Sequence, residues 1–135
     1  MDEAQMRALI DHHIEAEGRG DIDAALAVYT DDVDHDVVGF PNGQSRGREG
    51  ARAFYEYLTS NFLAQTWTVR HQYVADDAIV LEQEMTGTVV GSMLGLAGHG
   101  RRITFRMLHV FAFRDGLISR ENVWVDTVAV RDQLG

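Results

Sequence analysis

The segment RRITFRMLHVFAFRDGLISRENVWVDTVAVRDQLG, residues 101–135, decides the fold. Two apolar runs flank Asp115-Gly116, and an Asp-Gly pair can supply positive φ at both central positions of a type I′ turn, so the segment predicts two long antiparallel strands. An uninterrupted ladder from that turn sets Arg114 opposite Leu117, Phe113 opposite Ile118, Phe111 opposite Arg120, His109 opposite Asn122, Met107 opposite Trp124 and Phe105 opposite Asp126. Alternation along each strand then gathers Phe105, Met107, His109, Phe111, Asn122, Trp124 and Asp126 on one face. A mostly apolar surface with one His, one Asn and one Asp has the composition of a small-molecule pocket wall. On the opposite face Leu108, Val110, Val123 and Val125 form an apolar centre with Arg106, Glu121 and hydroxyl groups around it, which predicts a homodimer packed through this face about a two-fold axis.

Upstream of the hairpin, the chain reads first as helix and then as strand. Met6, Leu9, Ile10, His13, Ile14 and Glu17 recur at helical spacing, predicting a helix over 2–17 with His13 on its inward stripe. Gly18 to Gly20 end it, and Asp21 caps a second helix carrying Ile22, Leu26 and Tyr29. A short strand, Val33 to Val38, holds His35 and Asp36, whose side chains must point to opposite faces; Asp36 is the one expected in the pocket. A third helix runs from about Arg48 to Phe62 with Ala51, Phe54, Leu58 and Phe62 inward, followed by strands Trp67 to Val74 and Ile79 to Val90. The expectation is one α+β domain over residues 1–135, three N-terminal helices packed on a curved, mostly antiparallel sheet.

Composition narrows the chemistry. The chain has 135 residues, with 12 basic and 21 acidic side chains giving a net charge of −9, which disfavours nucleic acid and anionic membrane as partners. Cysteine is absent, so no thiol nucleophile, thiolate metal site or disulfide exists, and lysine is absent too, which excludes Schiff-base chemistry. His12 and His13 diverge on their helix and no H-x-x-x-H pair exists, so no metal is expected. No apolar run approaches a membrane span, and a cytoplasmic protein is expected. Gly43-Gln44-Ser45-Arg46-Gly47 fits the G-x-S-x-G pattern but lacks the preceding buried parallel strand, so Ser45 reads as the entry to the third helix.

Several ordered motifs carry a family resemblance across essentially the whole chain: Gly20-Asp21-Ile22-Asp23, Tyr29-Thr30-Asp31-Asp32, Gly47-Arg48-Glu49-Gly50, the glycine-spaced stretch Gly87 to Arg102, and the tail from Glu121 through Asp126 to Gly135. Together they resemble the nuclear transport factor 2-like superfamily and, within it, the SnoaL-like polyketide cyclases. The resemblance implies a cone-shaped barrel, usually a homodimer, with a deep apolar cavity and no cofactor. It also implies that Asp126 matches the cyclases' acid/base residue of aldol ring closure. The front half resembles ketosteroid isomerases, with Asp36 at the position of their base, while His13 and His109 stand where those enzymes carry Tyr and Asp donors. Limonene-epoxide hydrolases carry Arg and Asp two apart on a strand; here the residue two after Arg106 is Leu108, which disfavours epoxide hydrolysis.

The candidate catalytic residues are therefore Asp126, His109 and Asp36, with Asn122, Trp124, Met107, Phe105, Phe111, His13, His35 and Phe54 around the substrate. The expected reaction is cofactor-independent acid/base chemistry α to a carbonyl of a hydrophobic polycyclic or aromatic molecule. A non-catalytic binding or dimerising module is the alternative, because one fold hosts both.

Overall fold

A computed structural model describes residues 1–135. Helix α1 (Glu3–Gly18) opens on a capping box in which Asp2 accepts from the Gln5 amide and Gln5 returns the bond. The short α2 (Ile22–Leu26) is capped by Asp21 as its sequence predicts. Strand β1 (Tyr29–Val38) begins where helical periodicity alone would have continued α2 through Tyr29. After β2 (Gln44–Arg46), helix α3 (Arg48–Asn61) leads into β3 (Phe62–Val74) and β4 (Ala78–Val89). The glycine-spaced connection holds a two-residue pair, β5 (Ser92–Met93) and β6 (Leu96–Ala97), before the long strands β7 (Arg101–Arg114) and β8 (Leu117–Val125). A fourth helix, α4 (Thr127–Leu134), closes the chain.

Six strands form one sheet in the order β2-β1-β8-β7-β4-β3, antiparallel except where β1 runs parallel to β8. The α+β arrangement is as expected, but the barrel is not: the curved sheet stays open, with β2 and β3 as its edges. Two buried clusters hold the helices to its inner face. Met6, Ile10, Tyr29, Tyr55, Ile79, Phe111 and Ile118 fill one end; Phe62, Val89, Ile103, Phe105, Val130 and Leu134 fill the other. Each fully buried aliphatic side chain contributes about 1.5–3 kcal/mol. Gly87 is required at the second end, because a Cβ there would lie 2.2 Å from the Phe62 ring.

The hairpin turns at Asp115 and Gly116 with φ of 55° and 76°, the type I′ geometry expected of the pair. Its ladder is not uninterrupted. Arg114 faces Leu117 and Phe113 faces Ile118, but the register then shifts so that Ala112 faces Arg120, Phe111 faces Glu121, Val110 faces Asn122, His109 faces Val123 and Met107 faces Val125. Ser119 is the extra residue of a β-bulge, and one extra residue exchanges the two faces of everything beyond it. Glu121, Val123 and Val125 consequently turn inward, whereas Asn122 and Trp124 pass to the outer face with Val110 and Leu108. The strand also ends earlier than its pattern suggests. Asp126 caps α4, its carboxylate accepting from the Ala129 amide at 3.1 Å.

Candidate active site

A cavity of about 340 Å³ lies between the helices and the inner face of the sheet. Its wall is mainly apolar, with Val37, Phe40, Phe54, Leu58, Phe62, Trp67, Met85, Met93, Phe105, Met107, Val123 and Val125, and its polar lining includes His13, Glu17, His35, Tyr55, Gln83, His109 and Glu121. A few convergent polar groups in an apolar enclosure are what orient a small ligand.

Most of these polar groups belong to one network assembled from five elements. Spacing of i, i+4 on α1 puts His13 and Glu17 on one face, with His13 Nε2 3.6 Å from a Glu17 oxygen. The Nδ1–H of His13 donates to the Ala25 carbonyl at 2.9 Å, which fixes the ring and leaves Nε2 pointing inward. There it meets Glu121 Oε1 of β8 at 3.0 Å and the Tyr55 hydroxyl of α3 at 2.9 Å. Tyr29 of β1 donates to Glu121 Oε1 at 2.7 Å, and Tyr55 donates to Oε2 at 3.3 Å. His109 of β7 stacks on Phe111 and brings its Nε2 to 3.7 Å from Glu121 Oε2.

Charge in this network follows from the competition between burial and pairing. Burial alone would lower the His13 pKa, but Glu121, through its charge and hydrogen bond, and Glu17 raise it to about 9. Burial would raise the Glu121 carboxyl, yet His13 outweighs it and holds the group well below the usual carboxylate range. His13 and Glu121 are thus an ion pair at neutral pH. Burial dominates at Glu17, raising it to about 7 against the opposing charge of His13, and at His109, lowering it to about 4 in spite of Glu121. His35 is also lowered by burial, so His35 and His109 are neutral imidazoles. Burial and the neighbouring carboxylate raise both Tyr29 and Tyr55, which keep their protons.

Of the residues singled out in the sequence, His109, Phe105, Met107, Phe111, His13, His35 and Phe54 line the cavity. Asp126, Asp36, Asn122 and Trp124 do not. Asp126 is committed to its helix cap, and the bulge carries Asn122 and Trp124 outward. Asp36 pairs with Asn122 on that outer side, so His35 is the member of the dipeptide that enters. Sequence reasoning passed over Glu121, Tyr29, Tyr55, Glu17 and Gln83. Tyr55 had a signal: Ala51, Tyr55, Leu58 and Phe62 are as regular a helical stripe as the one through Phe54. Glu121 had none, since its face depends on the bulge. No three His, Asp or Glu side chains converge as a metal-binding group, and no helix is long and apolar enough to cross a membrane.

The same architecture recurs in solved structures. TsrD from Streptomyces laurentii is 26% identical, superposes with a TM-score of 0.84 and is matched over 100% of this chain and 98% of its own. A provisionally assigned polyketide cyclase from Xanthomonas campestris pv. campestris is 23% identical, with a TM-score of 0.83 and 98% of each chain covered. An epoxide hydrolase of the LEH-like type from M. tuberculosis is 18% identical, with a TM-score of 0.73 over 97% of this chain and 90% of that one, and at this identity the likeness is one of fold. No curated protein sequence matches the chain. The SnoaL-like domain family matches residues 10–121, most of the chain and every residue of the network; the chain therefore belongs to the SnoaL-like family of the nuclear transport factor 2-like superfamily.

Proposed function

We propose that the cavity takes a hydrophobic, carbonyl-bearing ring compound and carries out cofactor-independent proton transfer at the carbon α to that carbonyl, with His109 as the base. The observation that carries this reading is a neutral imidazole on the cavity wall, 3.7 Å from a carboxylate that His13 and two tyrosines hold ionised. When His109 takes the α-proton it becomes an imidazolium, and the Glu121 charge stabilises it in a low-dielectric site where such stabilisation is large. The substrate is left as an enolate. It either attacks a second carbonyl of the same molecule, closing a ring, or is reprotonated at another carbon, giving an isomer; His109 returns the proton to the new alkoxide or carbon, so none is consumed. A soluble homodimer is part of the proposal.

The competing reading is a binding module without catalysis. Its support is that both oxygens of Glu121 are already hydrogen-bonded within the protein, as in a purely structural cluster. Exchange of the α-protons of 2-tetralone in D2O, followed by NMR, separates the two. Acceleration over buffer is expected for the parent, with a loss of about 10²–10⁴-fold in His109→Gln. A parent that binds the ketone yet exchanges it no faster than buffer between pH 5 and 9 leaves the binding module standing.

A further inference from the structure

Gln83 is the polar group of the cavity that the network does not use. It sits mid-strand on β4, opposite Met107 on one side and Val69 on the other. Its side chain is 2% exposed and lines the cavity, and its Oε1 has no hydrogen-bond partner. A buried amide oxygen without a donor is destabilising compared with an apolar side chain of the same size. Two imidazole nitrogens in the same wall, Nδ1 of His35 and Nδ1 of His109, are also unpartnered. His109 is a diagonal neighbour of Gln83 on the inner face, the pairing partner of Leu81, a relation that spans roughly 7–8 Å between backbones. Polar atoms left open next to one enclosed space are complementary to a ligand that fills it.

We propose that Gln83 is the specificity-determining residue of this cavity and reads a hydroxyl group on a fused-ring ligand. A carboxamide presents an acceptor and a donor side by side, and a hydroxyl answers both: it donates to Oε1 and accepts from Nε2. A carbonyl or an ether answers only the amide N–H and leaves Oε1 open. An apolar pocket rejects a missing or added methylene weakly, whereas a site built to hydrogen-bond a hydroxyl rejects the analogue without it strongly, because a buried polar group is then stranded. The diagonal relation puts Gln83 and His109 on neighbouring strands of one cavity wall, so a single fused-ring ligand can touch both. This inference rests on the reading of the cavity as a small-molecule site but not on proton transfer within it.

The test is a cycle of two ligands and two proteins. Affinities of 2-naphthol and 2-methoxynaphthalene, a pair that differs by methylation of the hydroxyl, are measured by calorimetry for the parent and for Gln83→Leu, with Gln83→Met as a second apolar replacement. The parent is expected to prefer 2-naphthol, and the preference is expected to shrink at least tenfold in either variant, 2-methoxynaphthalene binding as well as before or better. The urea midpoint of both variants should equal or exceed that of the parent, since an unpartnered buried amide has been replaced by apolar atoms. An unchanged preference in the variants overturns the proposal. So does a parent with no preference or no affinity for either compound. Selective naphthol binding together with 2-tetralone that binds but is exchanged no faster than in buffer would overturn the catalytic reading alone.

Discussion

At the scale of single residues, His13 is the charge on which the interior turns. Its position on the inward stripe of α1 is legible from spacing, but its state is not, because that depends on Glu121, a residue brought against it only by the folded sheet. Its folded pKa is raised to about 9 from an ordinary value of 6.5. The folded form therefore binds this proton more tightly than the unfolded form. The resulting stability is fully present below pH 6.5 and is lost as pH rises through 9. By linkage that amounts to at most about 3 kcal/mol, at 1.36 kcal/mol per pKa unit. Glu17 acts with the same sign at lower pH: its carboxyl, raised from 4.5 to about 7, lowers stability as pH rises through that interval. His109 has the reverse sign, its stabilising neutral state being lost as pH falls from 6.5 towards 4. Above pH 6.5 the descending limb thus belongs mainly to His13. In His13→Gln the part of that limb that His13 contributes between pH 6.5 and about 9 should disappear, after an overall loss of about 3–5 kcal/mol at neutral pH because Glu121 is left as an unpaired buried charge. The slope that remains then belongs to Glu17 and Glu121, whose carboxyls rise once the cation that held them down is gone. Parallel profiles for parent and variant across that range would show that His13 is not the titrating cation.

Among the elements, the β7–β8 hairpin shows both how far pattern reading reaches and where it stops. Asp115-Gly116 and the alternation on either side announce the turn and both strands correctly, since the turn is local chemistry and the strands have a period of two. The bulge at Ser119 leaves no such mark. Any residue can be the unpaired one, and the cost of a wrong register is paid only when Glu121 either meets His13 or fails to. The final helix is different, for it had a signal: Asp126 as cap, with Val130 and Leu134 at i, i+4 on the face that becomes buried. Reading Asp126 as the end of a strand set it on the pocket face, whereas its carboxylate caps α4 and is not among the residues that line the cavity. Register can be measured directly, because the protein contains no cysteine of its own. Leu108 and Trp124 face each other beyond the bulge, and both side chains are exposed. A Leu108→Cys, Trp124→Cys double variant should oxidise to an intramolecular disulfide, as directly opposed strand residues fall within the Cα separation such a bond needs. Leu108→Cys with Val123→Cys, the pair an uninterrupted ladder would oppose, should retain two free thiols in peptide mass mapping. The opposite result would restore the regular register and with it an inward Trp124.

For the whole molecule, the helices leave one face of the sheet without a layer of its own. The apolar centre expected there changes in composition, because Val123 and Val125 turn inward; Leu108, Val110 and Trp124 now occupy it, with Leu108 37% and Trp124 43% exposed. Around them on the same face stand Glu82, Glu84, Arg106, Arg120, Asp34 and Asp36, paired across neighbouring strands. Both signs of charge are therefore present on one rim. A second copy turned about a two-fold axis can set arginines against carboxylates while the apolar centres meet, which an isologous interface requires and which a net charge of −9 makes harder for a patch of single sign. The homodimer proposed above is placed on this face for that reason. A carboxylate at the centre would be buried opposite its own copy across the axis, with no cation in reach, and burying an unpaired charge costs several kcal/mol. Val110→Glu and Trp124→Glu should each yield a monomer by size exclusion coupled to light scattering, with the far-ultraviolet spectrum of the parent retained, since neither side chain belongs to the inner core. Trp124→Phe, which keeps the apolar surface, should remain dimeric. A parent that runs as a monomer, or a Trp124→Glu variant that dimerises as the parent does, would assign the two-fold contact to other strands or remove it, and would leave Trp124 as the exposed end of β8 with no partner to cover it.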